Sequence, residues 1–353
     1  MGHVILGTIV WNDQDATLYE VIRSGPFFRD INNKVATANE LTFYMNSDHT
    51  RTEDYRYGFH GPYVLAFTDS APLASASIAD FSFFQGLGLK GFVDNTARGT
   101  VKGAISDTNN VLTNATIVSF SNSEAQYWTS VAQGSKSFTA TSLKPGTYTM
   151  TVYKKQLPVA TTQVTVSTGA TSTQNIQIKP FEKALWTIGE WDGTPDGFMN
   201  ADKIHDMHPS DTRMTSWKPT TYSVSSSKVN EFPMALFRGV NSPLTITFSL
   251  TKEQATTSRV LRIGVTLAQM SARPVIAVNN RWTSPTPATK AVATRGITRG
   301  VTMGNYFVYE FIIPTKALTT GKNNIVVTIA SGVTDAPQTF LHACVVFDAV
   351  ELI

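Results

Sequence analysis

The segment Tyr55-Arg56-Tyr57-Gly58-Phe59-His60-Gly61-Pro62-Tyr63 concentrates the side chains of this chain that could do chemistry. It sets one imidazole, His60, among three tyrosines and an arginine. Imidazole gives or takes a proton near neutral pH. Tyrosine offers an apolar ring face with a polar tip, and arginine a flat fork of donors that matches a carboxylate. Tyr55 and Tyr57 share a face if the segment is extended, and Gly58 and Gly61 let the backbone approach a ligand closely. Upstream lies a second dense block, Gly25-Pro26-Phe27-Phe28-Arg29-Asp30-Ile31-Asn32. Arg29 there either clamps a substrate carboxylate or pairs with Asp30 inside a core. The two blocks together suit an anionic polysaccharide. The alternative for the first block is an aromatic core strand with His60 at its end.

Other candidates carry less chemistry. The six histidines are His3, His49, His60, His205, His208 and His342, and no pair shows zinc spacing with acidic or cysteine company. His205 and His208 lie three apart without the frame of a helical metal pair. Glu190-Trp191-Asp192-Gly193 and Asp348-Ala349-Val350-Glu351 place acids on what read as the opening and closing strands of the last region. Glu190 and Asp348 are therefore the candidate ligands of a structural calcium, a cation that takes oxygen donors. Trp186, Trp191, Trp217 and Trp282, with Tyr222, Tyr306 and Tyr309, either stack on sugars or fill a core. There is no nucleophile elbow, phosphate loop or dinucleotide motif.

The elements that must position these residues are strands. Apolar residues alternate with polar ones in Thr147–Tyr153, Gln163–Val166 and Thr245–Ser249. Only Asn200–Met207 reads as one or two helical turns, and Thr168–Asn175 reads as a hairpin. The chain has 353 residues, of which 42 % are hydrophobic and only 16 % charged. That composition describes a folded, all-β protein of more than one domain. The expected division is a partial β-sandwich over 1–90, a fibronectin type III-like sandwich over 91–180 and a jelly roll over 181–353.

A net charge of +3 with scattered basic residues excludes a nucleic-acid footprint. No run reaches the roughly 18 apolar residues of a membrane span. The single cysteine, Cys344, sits in Ala-Cys-Val-Val-Phe and reads as a small buried apolar residue. Val4–Trp11 reads as a buried strand, not a signal peptide, since it lacks a basic leader and a small-residue cleavage site. The one sequon is Asn114-Ala115-Thr116.

Several long strings resemble one family. Gly25–Asn32, then Tyr44-Met45-Asn46-Ser47 with Thr52–Tyr63, then Ile188–Gly193 with Met207-His-Pro-Ser-Asp-Thr-Arg-Met214, are similar to signatures of fungal-type rhamnogalacturonan lyases, polysaccharide lyase family four. The resemblance runs along nearly the whole chain. It implies three domains: a catalytic β-sandwich, a fibronectin-like domain and a jelly roll resembling carbohydrate-binding modules. It implies a secreted, monomeric enzyme that cuts the rhamnose-(1→4)-galacturonate bond of pectic rhamnogalacturonan I by β-elimination, with no cofactor needed for the chemistry. A base removes the C5 proton, positive charge stabilises the enolate-like intermediate, and an acid protonates the departing O4.

In the family a lysine is the proposed base and a histidine the proposed acid. The histidine falls on His60, and Tyr55 and Tyr57 would line sugar subsites. The lysine lies upstream of that motif in the family, and this sequence has none before Lys34. The resemblance therefore implies an N-terminally truncated chain. Its expected behaviour is either that of the lyase or that of an inactive remnant that binds pectin.

Overall fold

A computed structural model describes residues 6–11, 31–33, 41–43, 63–68, 85–88 and 91–353, apart from 109, 113–115, 289–290, 292–293, 295 and 331–338. Four strands come from the first region: β1 (Leu6–Trp11), β2 (Ile31–Asn33), β3 (Leu41–Phe43) and β4 (Tyr63–Thr68). β1 pairs antiparallel with β4, placing Trp11 opposite Tyr63. β2 pairs antiparallel with β3.

The next strands build one small sandwich. They are β5 (Gly99–Ser106), β6 (Thr116–Ser121), β7 (Gln126–Val131), β8 (Ser137–Leu143), β9 (Gly146–Lys154), β10 (Leu157–Val166), β11 (Thr171–Thr173) and β12 (Ile176–Gln177). One sheet runs β10-β9-β6-β7; the other runs β11-β5-β12, with β8 also on β5. The alternation in β9 points Tyr148, Met150 and Val152 inward, where each is at most 1 % exposed. Tyr148 packs edge-on against Tyr127 at 5.9 Å. Its hydroxyl donates 2.9 Å back to Lys144 O, a tyrosine corner that closes the turn at Pro145-Gly146.

The alternation after Thr168 does not make a hairpin. β11 lies parallel to β5, in the opposite sheet from β10. Gly169 turns the chain at φ +61°, and Ala170 O then accepts from Thr100 N at 2.9 Å, so the segment crosses between sheets. β11 and β12 meet β5 on either side of Gln174 and Asn175. There the Asn175 side chain accepts from Ala104 N at 2.9 Å, replacing a ladder bond. A Cβ on Gly103 would fall 1.8 Å from Gln174 O. Gly103→Val should therefore cost this sandwich about 3 kcal/mol or more. A denaturation curve of the variant checks this; an unshifted midpoint would overturn the account.

The last strands form a jelly-roll-like sandwich: β13 (Trp186–Gly189), β14 (Thr220–Ser223), β15 (Ala235–Phe237), β16 (Leu244–Leu250), β17 (Arg259–Gln269), β18 (Arg273–Val278), β19 (Trp282–Thr283), β20 (Phe307–Ile313), β21 (Gly321–Ala330) and β22 (Cys344–Leu352). One five-stranded sheet runs β13-β22-β17-β20 with β15 on β22; the other runs β14-β16-β21-β18-β19. Their inner faces share one apolar core, including Ile246 and Phe248 on β16, Ile263 and Val265 on β17, and Ile325 and Val327 on β21. Cys344 is fully buried in it, and burial pushes its thiol far above the ordinary range.

Asn200–Met207 forms successive turns in place of the expected helical turns. Asn200 takes φ +73°, and its side chain is held by Thr215, accepting from Thr215 N at 2.8 Å and donating to Thr215 O at 2.9 Å. Helical elements among the described residues are five short 3-10 turns. The described residues fall into two compact units, one with β1 and β4–β12, the other with β2, β3 and β13–β22.

Candidate functional site

His60, Tyr55, Tyr57 and Arg29 lie outside the described residues. What the structure fixes is the strands that follow them. β2 starts at Ile31, just after Arg29-Asp30, and β4 starts at Tyr63, just after His60-Gly61-Pro62.

The acids of the opening and closing strands of the last sandwich are described in full. β13 pairs antiparallel with β22, with Gly189 opposite Ala349. β17 pairs with β22 on the other side, Ile263 opposite Val350 and Val265 opposite Phe347. Between those pairs Gly264 stands alone against Asp348 and Ala349, which is a β-bulge. A Cβ on Gly264 would meet the Trp191 ring at 2.7 Å and the Asp348 side chain at 3.1 Å. The glycine thus lets the indole lie across the strand over Asp348.

Asp348 is 1 % exposed. Its Oδ1 accepts three backbone N–H groups, from Gly193 at 2.8 Å, Thr194 at 3.1 Å and Asp192 at 3.2 Å. Asp192 Oδ1 accepts from Thr194 N at 2.9 Å and Thr194 Oγ1 at 2.7 Å, which shapes the 192–194 loop into that concave set of donors. Asp348 Oδ2 and the Tyr306 hydroxyl are both buried without a hydrogen bond of ordinary geometry. Burial, reinforced by the charge of Asp192, outweighs the amide bonds and pushes the Asp348 carboxyl up to about 7. Burial and then the Asp348 charge hold the Tyr306 hydroxyl far above its usual value.

Glu351 closes the other side. It accepts from Trp191 Nε1 at 2.8 Å and faces Arg262, which also meets Glu310 at 2.8 Å and Glu182 at 2.7 Å. Glu190, the other expected calcium ligand, is exposed. Among the described residues, no group of three or more His, Cys, Asp or Glu side chains could hold a metal ion. Arg262, Gly264 and Thr194 were not among the sequence candidates. The one signal for Arg262 was a charge at an alternate position in the apolar run Arg259–Gln269.

Most candidate aromatic platforms are packed. Trp186 lies 5.3 Å from Phe248. Trp217 lies edge-on to Phe237 at 5.2 Å and donates to Pro209 O at 2.9 Å. Tyr222 and Tyr309 are 5 % and 3 % exposed. In the 207–214 string, His208 Nδ1 lies 2.7 Å from Ser210 Oγ, and Arg213 makes a two-pronged pair with Asp211 at 2.9 and 2.8 Å. These contacts fold the loop and gather no metal ligands. No helix among the described residues is long and apolar enough to cross a membrane.

Two all-β sandwiches in series, the second of jelly-roll type, define a modular class built from sheets whose loops and faces take ligands. Family models match in chain order: "Rhamnogalacturonan lyase B, N-terminal" over 7–91, "Polysaccharide lyase family 4, domain II" over 97–174, and "Polysaccharide lyase family 4, domain III" over 184–352. The chain belongs to polysaccharide lyase family 4.

Its relatives include rhamnogalacturonate lyase A of Emericella nidulans, 45 % identical over 95 % of this chain and 62 % of that one. Another is rhamnogalacturonate lyase A of Aspergillus aculeatus, 44 % identical over the same shares. The chain thus spans about 62 % of the length of the curated relatives it matches. A family 35 carbohydrate-binding module from an environmental isolate aligns over 42 % of this chain and 90 % of its own, at 13 % identity and a TM-score of 0.24, too slight to argue from.

Proposed function

We propose that these residues belong to an extracellular rhamnogalacturonan endolyase, with His60 as the acid that protonates O4 of the departing galacturonate-linked bond. The observation that carries the reading is the Gly58-Phe59-His60-Gly61-Pro62-Tyr63 string inside the segment matched by the N-terminal lyase model. Arg29 would face the uronate carboxylate, and Tyr55 and Tyr57 the sugar rings. The pectic polymer, rhamnogalacturonan I, is the partner. The test is to incubate the chain with it and follow ultraviolet absorbance of the unsaturated uronate that β-elimination leaves.

One observation favours a second reading. The sequence has no lysine before Lys34, and β-elimination needs a base as well as an acid. Assayed alone, these 353 residues would then bind pectin without cleaving it. A rising trace that depends on His60 decides for the lyase. A flat trace with retained binding decides for the second reading.

A structural calcium at Glu190 and Asp348 is also proposed. Its support is Asp348 Oδ2, a buried carboxylate oxygen that faces the Tyr306 hydroxyl without a hydrogen bond of ordinary geometry, since hard cations take such oxygens. The ion would tie the 190–194 loop to the closing strand. Calcium should raise the melting temperature of chelator-treated protein; an unchanged temperature would discard the ion and leave a proton as what neutralises Asp348.

A further inference from the structure

The second sheet of the jelly roll carries a groove of about 390 Å³, apart from the Asp348 cluster. Its walls are Ser223, Ser225, Thr247, Ser249, Lys322 and Asn324. Three strands bring them together. Ser223 on β14 stands opposite Thr247 on β16, and across β16 and β21 Thr247 faces Asn324 and Ser249 faces Lys322. On β16 and β21 these positions alternate with the core residues Ile246, Leu250 and Ile325, so their side chains form the solvent side of the sheet. Phe248 and Asn323 lie beneath, only 5 % and 3 % exposed. Asn323 is pinned there by donating to Thr319 O at 2.7 Å and Gly321 O at 2.9 Å and by accepting from Asn279 Nδ2 at 2.7 Å. The floor is rigid, and a preformed floor lowers the cost of ordering a ligand.

The free groups state what the groove would hold. The Asn324 amide oxygen accepts from Asn279 N at 3.2 Å, leaving its NH2 end as donor. Ser223 and Ser225 hydroxyls lie 3.3 Å apart, side by side. Among the described residues no ion pair or hydrogen bond engages Lys322 Nζ or Ser249 Oγ. No carboxylate lines the groove. Among the described residues, a row of hydroxyls and an amide beside one ammonium with no opposing anion complements a ligand rich in hydroxyls that carries a single negative charge. The volume is of the size that small-ligand sites use.

We infer that this groove is a binding subsite for an acidic saccharide, with Lys322 on the uronate carboxylate and the Ser, Thr and Asn side chains on ring hydroxyls. The choice of galacturonate as the uronate rests on the proposed function; the groove's chemistry does not.

The experiment is calorimetric titration of the whole chain with trigalacturonate, with neutral galactotriose and with inorganic phosphate, in low and high salt. Trigalacturonate should bind, should weaken in high salt, and should outcompete galactotriose by about tenfold or more. Lys322→Met should lose about tenfold in trigalacturonate affinity at an unchanged melting temperature. Ser249→Val, which keeps the charge, should weaken both saccharides alike. The inference is overturned if trigalacturonate does not bind, if Lys322→Met binds as well as the parent, if galactotriose binds equally, or if phosphate alone competes as strongly. Product absorbance is measured in parallel on the same variants. Loss of groove binding with cleavage intact removes the subsite alone. Binding that survives without cleavage removes the lyase reading alone.

Discussion

Asp348→Ala is expected to lower the unfolding free energy of the jelly roll by about 3–5 kcal/mol. The carboxylate is 1 % exposed and receives the N–H groups of Asp192, Gly193 and Thr194 on one oxygen. Alanine leaves the Asp192 and Gly193 donors buried without an acceptor, leaves Thr194 N only its bond to Asp192 Oδ1, and opens a void under Trp191. Asp348→Asn behaves differently. It keeps an acceptor oxygen of the same shape and gives up only the charge. Its loss should stay near 1 kcal/mol at mildly acidic pH.

The pH dependence separates the two effects. Burial lifts the folded carboxyl to about 7, from an ordinary value of 3.8. A raised folded value means that the folded state holds the proton more tightly than the unfolded chain. Its contribution is fully present below the ordinary value and is lost as pH rises through the folded one. In chelator, the jelly roll should therefore lose a few kcal/mol as pH climbs from about 4 to about 8. Asp348→Asn should flatten that slope and become the more stable protein at the alkaline end. Melting curves across pH for the three proteins read this directly. A parent that gains stability over that range would sink the account of Asp348 as a buried acid that favours its protonated form.

His60→Ala is expected to cut the rate of unsaturated-product formation by about 10²- to 10⁴-fold, in any polypeptide that carries these residues and releases that product. Departure of O4 leaves an alkoxide unless a proton arrives in the transition state. An imidazole can deliver it near neutral pH; alanine cannot. The loss should fall on kcat, with KM moved little, because proton delivery is made only in the transition state. Tyr57→Phe, which keeps the ring that would meet the sugar, should leave far more activity. A His60→Ala protein with undiminished kcat would assign the acid to another residue and return His60 to the end of an aromatic strand.

Much of the architecture was legible because a sheet has a two-residue period. Tyr148, Met150 and Val152 alternate in sequence and lie together in the core, as do Ile246 and Phe248. Cys344 amid Val345, Val346 and Phe347 could only be interior, and it is. Pairing partners were less legible. The stretch after Gly169 alternates as a returning hairpin would, yet β11 joins β5 in the other sheet. Local pattern states which face a residue shows, not which strand it meets, since partners are chosen by contacts far apart in sequence. Trp186, Trp217, Tyr222 and Tyr309 make the same point for side chains: an aromatic that could stack on a sugar is spelled the same as one that fills a core.

By itself, the sequence determined that the chain is all-β and that its family strings run in order from Gly25 to Met214, and it offered His60 as the candidate proton donor. Those conclusions need only periodicity and the chemistry of single side chains. The tertiary structure decided what Asp348 and Glu351 do. Strict alternation would turn residues three apart to opposite faces of a strand. The bulge at Gly264, where two residues of β22 oppose one of β17, breaks that alternation. It brings Asp348 beneath Trp191 while Glu351 accepts the same indole's N–H. It also decided that Ser223, Thr247, Ser249, Lys322 and Asn324, drawn from three strands, share one groove. Each is an ordinary surface residue in its own segment. Only the register of β14, β16 and β21 makes them neighbours, because that register is set by the core on the sheet's other face.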